Sequence, residues 1–338
     1  MPTWGEIGIE ISRTAQPGHS PDFDRVRRTY LAQLYHLTGR ATIVYSSAFL
    51  EKAGSPGELL MITLADMQGF MEVVKGLPQG PLDIIIHNPG GLAEATESIL
   101  RYLRGRFDPI RAFVPIAAKS AATMLALGCD EIVMGAHSEL GPIDPQVTLL
   151  DPNGAGISTV PAQAILDEFE RARNECADSK NIPAWVAILR GYHPGLLQTC
   201  SSHQALAQEM VGQWLAQYML RRIRNRVARG KKIAKWFSDH KHFKSHGRQV
   251  SRDQARGCGV FVVNLESDPQ LQDAVLSVHH ALSHTFSSTG AVKIIENHEG
   301  RAFIRSVSIS PVLTMQSPRP ESMAAVTLRG ARMRSMMD

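Results

Sequence analysis

The first half of the chain contains three short apolar segments. Between each segment and the next lie a turn of small residues and a stretch with a helical pattern. The apolar segments are residues 82–86, 111–116 and 131–134. Apolar runs of this length are typical of strands that are covered on both faces. Parallel strands joined through helices form right-handed crossovers, so the pattern predicts an α/β protein built on a buried parallel sheet.

Other segments complete this prediction. Apolar residues at spacings of three and four predict further helices, and β-branched runs predict further strands. The predicted helices are 22–37, 65–77, 92–106, 120–127, 161–174, 203–229, 251–256 and 268–283. The predicted strands are 41–45 and 260–265, with a hairpin of 291–296 and 302–306.

The predicted organisation is one domain with two flanking segments. Residues 1–21 contain Pro17, Gly18 and Pro21 and are expected to form an arm. Residues 22–306 are expected to form the domain, with a helical insertion at about 161–236. Residues 307–338 are rich in Pro, Ser, Met and Arg and are expected to be disordered.

Composition favours an intracellular globular protein. The chain of 338 residues is 43% hydrophobic and 20% charged, which argues against a fully disordered protein. No apolar run approaches the roughly 18–20 residues that cross a bilayer, and no signal peptide is recognisable. Four scattered cysteines without a C-x-x-C pair fit a reducing compartment, so we expect a cytoplasmic protein.

One segment is strongly basic. Residues 221–248 hold eleven Lys and Arg against one acidic residue, Asp239, so the segment carries +10 and the rest of the chain −6 to give the net +4. A solvated helix face explains such a run, and so does attraction to an anionic partner, a nucleic acid or a membrane surface.

Three turns carry residues that are suited to chemistry. His87-Asn-Pro-Gly-Gly91 follows a predicted strand and precedes a helix, where backbone N–H groups can approach a ligand closely. Ser120, between Lys119 and Ala121, occupies a second strand-to-helix turn and is either a helix N-cap or an exposed nucleophile. The loop Ser138–Gln146 presents one carboxylate, Asp144.

The order and spacing of these turns resemble one family. The chain is similar to the serine dehydrogenase proteinases, Clp-fold serine proteases of the Clp protease/crotonase superfamily. The resemblance is densest over residues 86–146 and extends loosely over about 25–305, including Ser245-His-Gly-Arg248. It implies an α/β fold with a Clp protease/crotonase-like ββα spiral core and additional helices.

The resemblance also implies the roles of individual residues. Ser120 would be the nucleophile, Asp144 the orienting acid and His246 the base, with His242 as an alternative base. The N–H groups of Gly91 and Ala121, with Gly90 beside them, would form the oxyanion hole. Histidine suits the role of base because its ordinary pKa lies near neutral pH, and a carboxylate fixes its tautomer.

Related peptidases use a serine–lysine pair instead. No Lys or Arg occurs from Ala121 to Glu170, and Gln163 occupies the place where that lysine is expected. Lys119 adjoins Ser120, and neighbouring side chains diverge, which makes it a poor base. The sequence therefore favours the Ser/Asp/His arrangement.

The expected function is that of a serine endopeptidase acting on polypeptides without metal or organic cofactor, and the superfamily suggests a homo-oligomer. A crotonase-like acyl-CoA hydratase or isomerase would use the same N–H pair without needing Ser120. A non-catalytic scaffold that binds a peptide or an anionic partner is the third hypothesis. The histidines at 240, 242 and 246 also have a spacing compatible with zinc, although no cysteine or carboxylate partner is implied.

Overall fold

The computed structural model describes residues 2–150 and 156–307. These residues, up to Val307, fall within one compact unit. The predicted tail lies, apart from Val307, outside the described residues, so its predicted disorder stays a prediction. The boundaries predicted for the domain and its helical insertion also stay predictions.

Helices account for much of the described chain. In chain order they are α1 Trp4–Arg13, α2 Phe23–Thr38, α3 Gly57–Leu60, α4 Asp66–Val74, α5 Ala93–Arg104, α6 Ala121–Leu127, α7 Ala162–Glu175, α8 Ile182–Leu189, α9 Leu196–Gln217, α10 Arg226–Phe237, α11 His240–Phe243, α12 Arg252–Cys258 and α13 Pro269–Ser288.

The strands of the described residues include the predicted ones, near their predicted positions, and five short ones that were not predicted, at 117–118, 139–140, 146–150, 157–161 and 250–251. In chain order the strands are β1 Ala41–Ser47, β2 Gly80–His87, β3 Phe107–Val114, β4 Ala117–Ala118, β5 Glu131–Met134, β6 Glu139–Leu140, β7 Gln146–Leu150, β8 Ile157–Pro161, β9 Val250–Ser251, β10 Val262–Asn264, β11 Ala291–Asn297 and β12 Ala302–Ser306.

A central sheet organises the described residues in the order β10-β5-β3-β2-β1-β11-β12. The strands from β10 to β1 pair in parallel, whereas β11 pairs antiparallel with β1, and β12 pairs antiparallel with β11 in the predicted hairpin. The α/β fold class predicted from the sequence is confirmed. Two smaller sheets, β4-β6-β9 and β7-β8, lie outside the central one.

The central sheet is covered on both faces, as its apolar strands predicted. Alternate residues of β2 point to opposite sides, so Ile84 and Ile86 belong to one apolar core and Ile85 to another. The first core includes residues of α5, α6, α9 and α10, and the second includes residues of α2 and α13. The turns that leave the strands are therefore held by rigid surroundings.

The segment expected to be an arm is partly helical. Thr3 caps α1 through a capping box with Glu6, since each side chain accepts from the other residue's backbone N–H. Ile7 and Ile11 are buried against Val26 of α2 and Ala281 of α13. The description as an arm is wrong for residues 4–13, because two isoleucines four residues apart supply an apolar face that the neighbouring helices cover.

The single helix predicted over 203–229 is also wrong. The chain turns back between α9 and α10, and Asn225 adopts a left-handed conformation with φ 60°. Arg221 pairs with Asp108 at 2.9 Å and with Asp130 at 3.4 Å, which anchors this turn to distant parts of the chain. Folding back lets the two helices pack on each other, and the helical pattern alone did not reveal it.

None of the described helices is long and apolar enough to cross a membrane.

Candidate active site

Two strand-to-helix turns lie side by side at the ends of β2 and β4. The Asn88 N–H donates to the carbonyl of Ala117 at 3.1 Å, and the Lys119 N–H donates to the carbonyl of Asn88 at 3.0 Å. These bonds bring the Asn88–Gly91 turn against Ser120. The two motifs that the sequence placed about 30 residues apart therefore share one location.

Ser120 has a strained backbone. Its φ of 48° and ψ of −120° are unusual for a residue with a side chain. It occupies the N-cap position of α6, yet its side chain makes no capping hydrogen bond. Strain of about 1–3 kcal/mol persists where the surroundings enforce it and is concentrated at functional sites. The interpretation of Ser120 as an ordinary N-cap is therefore disfavoured.

Gly90 makes room for this serine. A Cβ atom on Gly90 would lie 2.7 Å from the Ser120 Cβ and 2.6 Å from the Lys119 carbonyl oxygen. Its φ of +100° also lies in the region that favours glycine. The N–H of Gly90 donates to Asn88 Oδ1 at 2.9 Å, so it is already engaged. This bond argues against Gly90 as an oxyanion donor.

Two other N–H groups remain available beside the serine. Within the part of the chain that the structure describes, the backbone N–H groups of Gly91 and Ala121 have no hydrogen-bond acceptor. Ala121 is the first residue of α6, where the N–H lacks a partner within the helix. Both residues are those that the sequence assigned to an oxyanion hole.

Ile62 holds the Gly90–Gly91 turn from the other side. Its N–H donates to the carbonyl of Gly90 at 2.7 Å, and its carbonyl accepts from the N–H of Leu92 at 3.0 Å. A Cβ atom on Gly91 would lie 2.3 Å from the Ile62 oxygen, so only glycine fits there. The Gly90–Gly91 turn is thus held between Ile62 on one side and the turn at Ser120 on the other.

The residues on either side of Ile62 are fixed by a buried ion pair. Lys293 Nζ lies 2.9 Å from both carboxylate oxygens of Asp66 and donates to the carbonyl of Met61 at 2.6 Å. Asp66 also accepts from the N–H of Thr63 at 2.9 Å and from the Tyr45 hydroxyl at 2.7 Å. Burial lowers the pKa of Lys293, although Asp66 opposes this shift.

The small sheet β4-β6-β9 joins three separate parts of the chain. Ser120 follows β4 by two residues, Asp144 follows β6 by four, and His246 precedes β9 by four. Gly141, just after β6, lies so close to Ser120 that a Cβ there would be 3.4 Å from the Ser120 nitrogen. The three residues therefore extend from adjoining strands.

Asp144 and His246 are in direct contact. His246 Nδ1 lies 2.7 Å from Asp144 Oδ1, and the Asp144 side chain is only 1% exposed. A carboxylate at Nδ1 selects the tautomer whose Nε2 carries the lone pair, which is the form that a general base requires. His246 itself is 26% exposed, so a substrate can reach its ring.

A second histidine contacts the same carboxylate. His240 Nδ1 lies 3.2 Å from Asp144 Oδ2, and Gln146 Nε2 donates to that oxygen at 3.2 Å. Sequence reasoning missed this role of His240. The ring of His242, the alternative base, packs at an angle against Trp236 and Phe243, and its backbone N–H donates to Asp239. The contacts thus favour His246 over His242.

The groups weighed for a serine–lysine pair have other partners. Lys119 Nζ forms an ion pair with Glu139 at 2.6 Å. Gln163 donates to Asp167 at 2.8 Å and accepts from Gln204 at 2.8 Å. Within residues 2–150 and 156–307, no group of three metal-ligating side chains has a geometry suited to a metal ion.

His87 lies beneath the turn, and its ring is buried. Neither ring nitrogen has a hydrogen-bond partner within the described residues, and the ring packs on Phe49 and His279. Burial lowers the pKa of His87 from about 6.5 to about 4. His279 is also buried, and burial lowers its pKa well below the ordinary value. Both rings are therefore neutral at pH 7.

Comparison with known families supports the resemblance drawn from the motifs. Residues 57–187 match the sequence model of a family described as ClpP-like SDH-type serine proteinase. This segment is similar to the SDH-type serine proteinases. The match includes Gly91, Ser120 and Asp144, whereas His240 and His246 lie beyond it.

Two curated relatives match a similar stretch. Both are uncharacterized proteins of Methanocaldococcus jannaschii, one 32% identical over 122 residues and the other 33% identical over 118 residues. The matches cover 36% and 35% of this chain, and 39% and 37% of the relatives. The chain thus spans less than half the length of these relatives.

Solved structures with some similarity include two mutants of the 1510-N membrane-bound stomatin-specific protease. One is a serine-to-alanine mutant, with a TM-score of 0.35, 16% identity, and coverage of 60% of this chain and 75% of that chain. The other is a lysine-to-alanine mutant in complex with a substrate peptide, with a TM-score of 0.32, 16% identity, and coverage of 54% and 60%.

Proposed function

We propose that this SDH-type chain is a serine endopeptidase that cleaves polypeptides through an acyl-enzyme. The observation that carries the proposal is the strained, uncapped Ser120, which lies beside the free Gly91 and Ala121 N–H groups. A buried carboxylate bonded to a partly exposed histidine follows on the neighbouring strands. Each element of nucleophilic catalysis thus has a residue to supply it.

In the proposed reaction, Ser120 Oγ attacks the scissile carbonyl while His246 Nε2 takes its proton. Asp144 holds the Nδ1–H of His246 and stabilises the imidazolium that forms. The N–H groups of Gly91 and Ala121 donate to the developing oxyanion, and each such donor is worth about 10²–10³ in rate. His246 then gives the proton to the leaving amine, and water activated by His246 hydrolyses the acyl-enzyme.

His240 has a positioning role in this proposal. Its bond to Asp144 Oδ2 fixes the plane of the carboxylate, so that Oδ1 points at His246. Gln146 supports the same oxygen. The chemistry uses no metal or organic cofactor, and a homo-oligomer and a cytoplasmic location remain predictions.

The test is covalent labelling with a fluorophosphonate, which reacts with activated serines. We expect the wild-type protein to label and Ser120→Ala and His246→Ala to lose labelling by at least about 100-fold. Ser98→Ala is the matched control, because Ser98 is a partly exposed helical serine whose side chain bonds only its own helix. Wild-type labelling no stronger than that of Ser120→Ala would contradict the proposal.

A further inference from the structure

A groove with a volume of about 870 Å³ is lined by residues of α9 and α10. The two helices pack closely where Gly212 of α9 meets Gly230 of α10. A Cβ on Gly230 would lie 2.5 Å from the Gly212 oxygen, so only a glycine allows this contact. Gly212 and Ala216 contribute small residues to the groove, and Gln208 and Gln213 contribute amides. The groove is thus lined by small side chains, amides and charged groups.

Three cations line the same groove. Arg226, Lys231 and Lys235 have no acidic partner within the described residues. Other cations of the basic segment are neutralised, since Arg221 pairs with Asp108 and Lys241 pairs with Asp167. The carboxylate in the groove, Glu209, accepts a hydrogen bond from Gln213 at 2.9 Å. The groove therefore keeps an excess of uncompensated positive charge.

The groove approaches the Asp144 loop at one end. The N–H of Ile143 donates to the carbonyl of Phe237, the last residue of α10, at 2.9 Å. Lys235 lines the groove two residues before this bond. A ligand held along α10 is therefore anchored to an element that directly contacts the loop of the proposed site.

We propose that this groove binds an acidic segment of the polypeptide substrate, away from the scissile bond. The inference rests on the proposed function and names its substrate class. Glutamine amides can both donate to and accept from a peptide backbone, while the cations pair with Asp or Glu side chains. Charge complementarity of this kind raises the association rate and discriminates among partners.

Other anionic partners fit less well. Single-stranded nucleic acids are bound by aromatic rings on which bases stack, and the residues that line the groove include none. A membrane-binding helix presents a broad apolar face, whereas Val227 is the exposed large apolar side chain among the groove residues. An acidic peptide is therefore the occupant that the lining favours.

The test measures fluorescence anisotropy of a fluorescein-labelled peptide of alternating Glu and Gly, with a Gln-for-Glu peptide as the neutral control. The Ser120→Ala protein is used so that the probe is not cleaved. Lys231→Glu/Lys235→Glu is compared with Arg222→Glu/Arg224→Glu. The second pair makes the same charge change at exposed residues outside the groove.

We expect the acidic peptide to bind, and the groove variant to weaken binding by about 10-fold or more against about 3-fold or less for the control variant. Equal weakening in both variants would overturn the proposal in favour of diffuse attraction. Tighter binding of single-stranded DNA or of phosphatidylserine vesicles would overturn it as well, as would a groove that is covered by a second copy in solution.

The two proposals fail separately. Peptide binding to the Ser120→Ala protein does not depend on catalysis, and fluorophosphonate labelling does not depend on the groove. If the protein is labelled by the fluorophosphonate but binds the acidic and the neutral peptide equally, the proposed function is supported and the proposal for the groove is overturned. In an active protein, the groove variant is expected to raise KM for an acidic substrate and leave kcat unchanged.

Discussion

At the scale of single residues, the site depends on where small side chains stand. Ser120 is held in its strained conformation because Gly90 leaves space for its Cβ, and Gly91 leaves space for the Ile62 backbone. The glycine pair thus brings two turns together rather than supplying two donors. Only Gly91 keeps a free N–H among the pair.

His240 yields a prediction at this scale. His240→Ala removes the donor to Asp144 Oδ2, and a bond to a charged group is worth about 1.5–3 kcal/mol, so kcat is expected to fall about 10-fold or more. His240→Asn retains a donor amide and is expected to restore most of kcat, with KM unchanged in both. Steady-state kinetics on a peptide substrate makes the comparison.

A merely structural role for His240 would give a different result. In that case both variants would have a lower kcat and a lower thermal stability, and His240→Asn would not restore kcat. Gln146→Ala is a useful companion, because Gln146 donates to the same oxygen from another element.

At the scale of elements, several predictions from sequence were right for local reasons. β2, β3 and β5 were recognisable because apolar strands of a buried sheet differ sharply from their flanks. The turn between α9 and α10 was not recognisable from the sequence. It is held by Arg221, which pairs with acidic residues about 90 and 110 positions earlier in the chain. Helical spacing carries no information about such distant contacts.

The same reasoning applies to the site. Ser120, Gly91 and Asp144 were assigned to the candidate site from motifs that lie next to predicted strands. His240 was not found, because three histidines occur within seven residues and only the position of Asp144 separates their roles. That position depends on the pairing of β6 with β4 and β9.

The link between β11 and α4 gives a prediction about elements. Lys293→Met leaves Asp66 buried without its cation, so we expect the free energy of unfolding to fall by about 3–5 kcal/mol. Met61 also loses its bond to Lys293, which loosens Ile62 and the turn it clamps. Urea denaturation measures the first effect, and fluorophosphonate labelling below the unfolding transition measures the second.

Arg301→Met is the matched control, because Arg301 forms an exposed pair with Glu72 at 3.4 Å on the same hairpin region. Its loss is expected to cost less than about 1 kcal/mol. Similar destabilisation by both variants would contradict the importance assigned to the buried pair.

At the scale of the whole molecule, the buried histidines set a dependence on pH. His87 and His279 are neutral in the folded protein, because burial lowers the pKa of each. The unfolded chain, with histidine pKa values near 6.5, binds more protons than the folded protein as the pH drops. Stability is therefore fully present above about pH 6.5 and is lost progressively as the pH falls towards 4.

His279→Phe is expected to reduce this loss, because the phenyl ring cannot be protonated. The substitution leaves no hydrogen-bond partner unsatisfied, since the Nδ1 of His279 has none. Urea midpoints at pH 7.5 and pH 5 provide the measurement. His203→Gln serves as the control, since His203 is exposed on α9. An unchanged difference between the two pH values in His279→Phe would argue against this origin of the acid sensitivity.

The bond from Lys293 to Met61 has a consequence for biosynthesis. A ribosome makes the chain from the N-terminus, so Ser120 emerges long before Lys293, which secures the segment around Ile62. His246 also emerges more than a hundred residues after Ser120. Under the proposed mechanism, an unfinished chain cannot cleave other polypeptides, because the site is assembled only when synthesis of the domain is nearly complete.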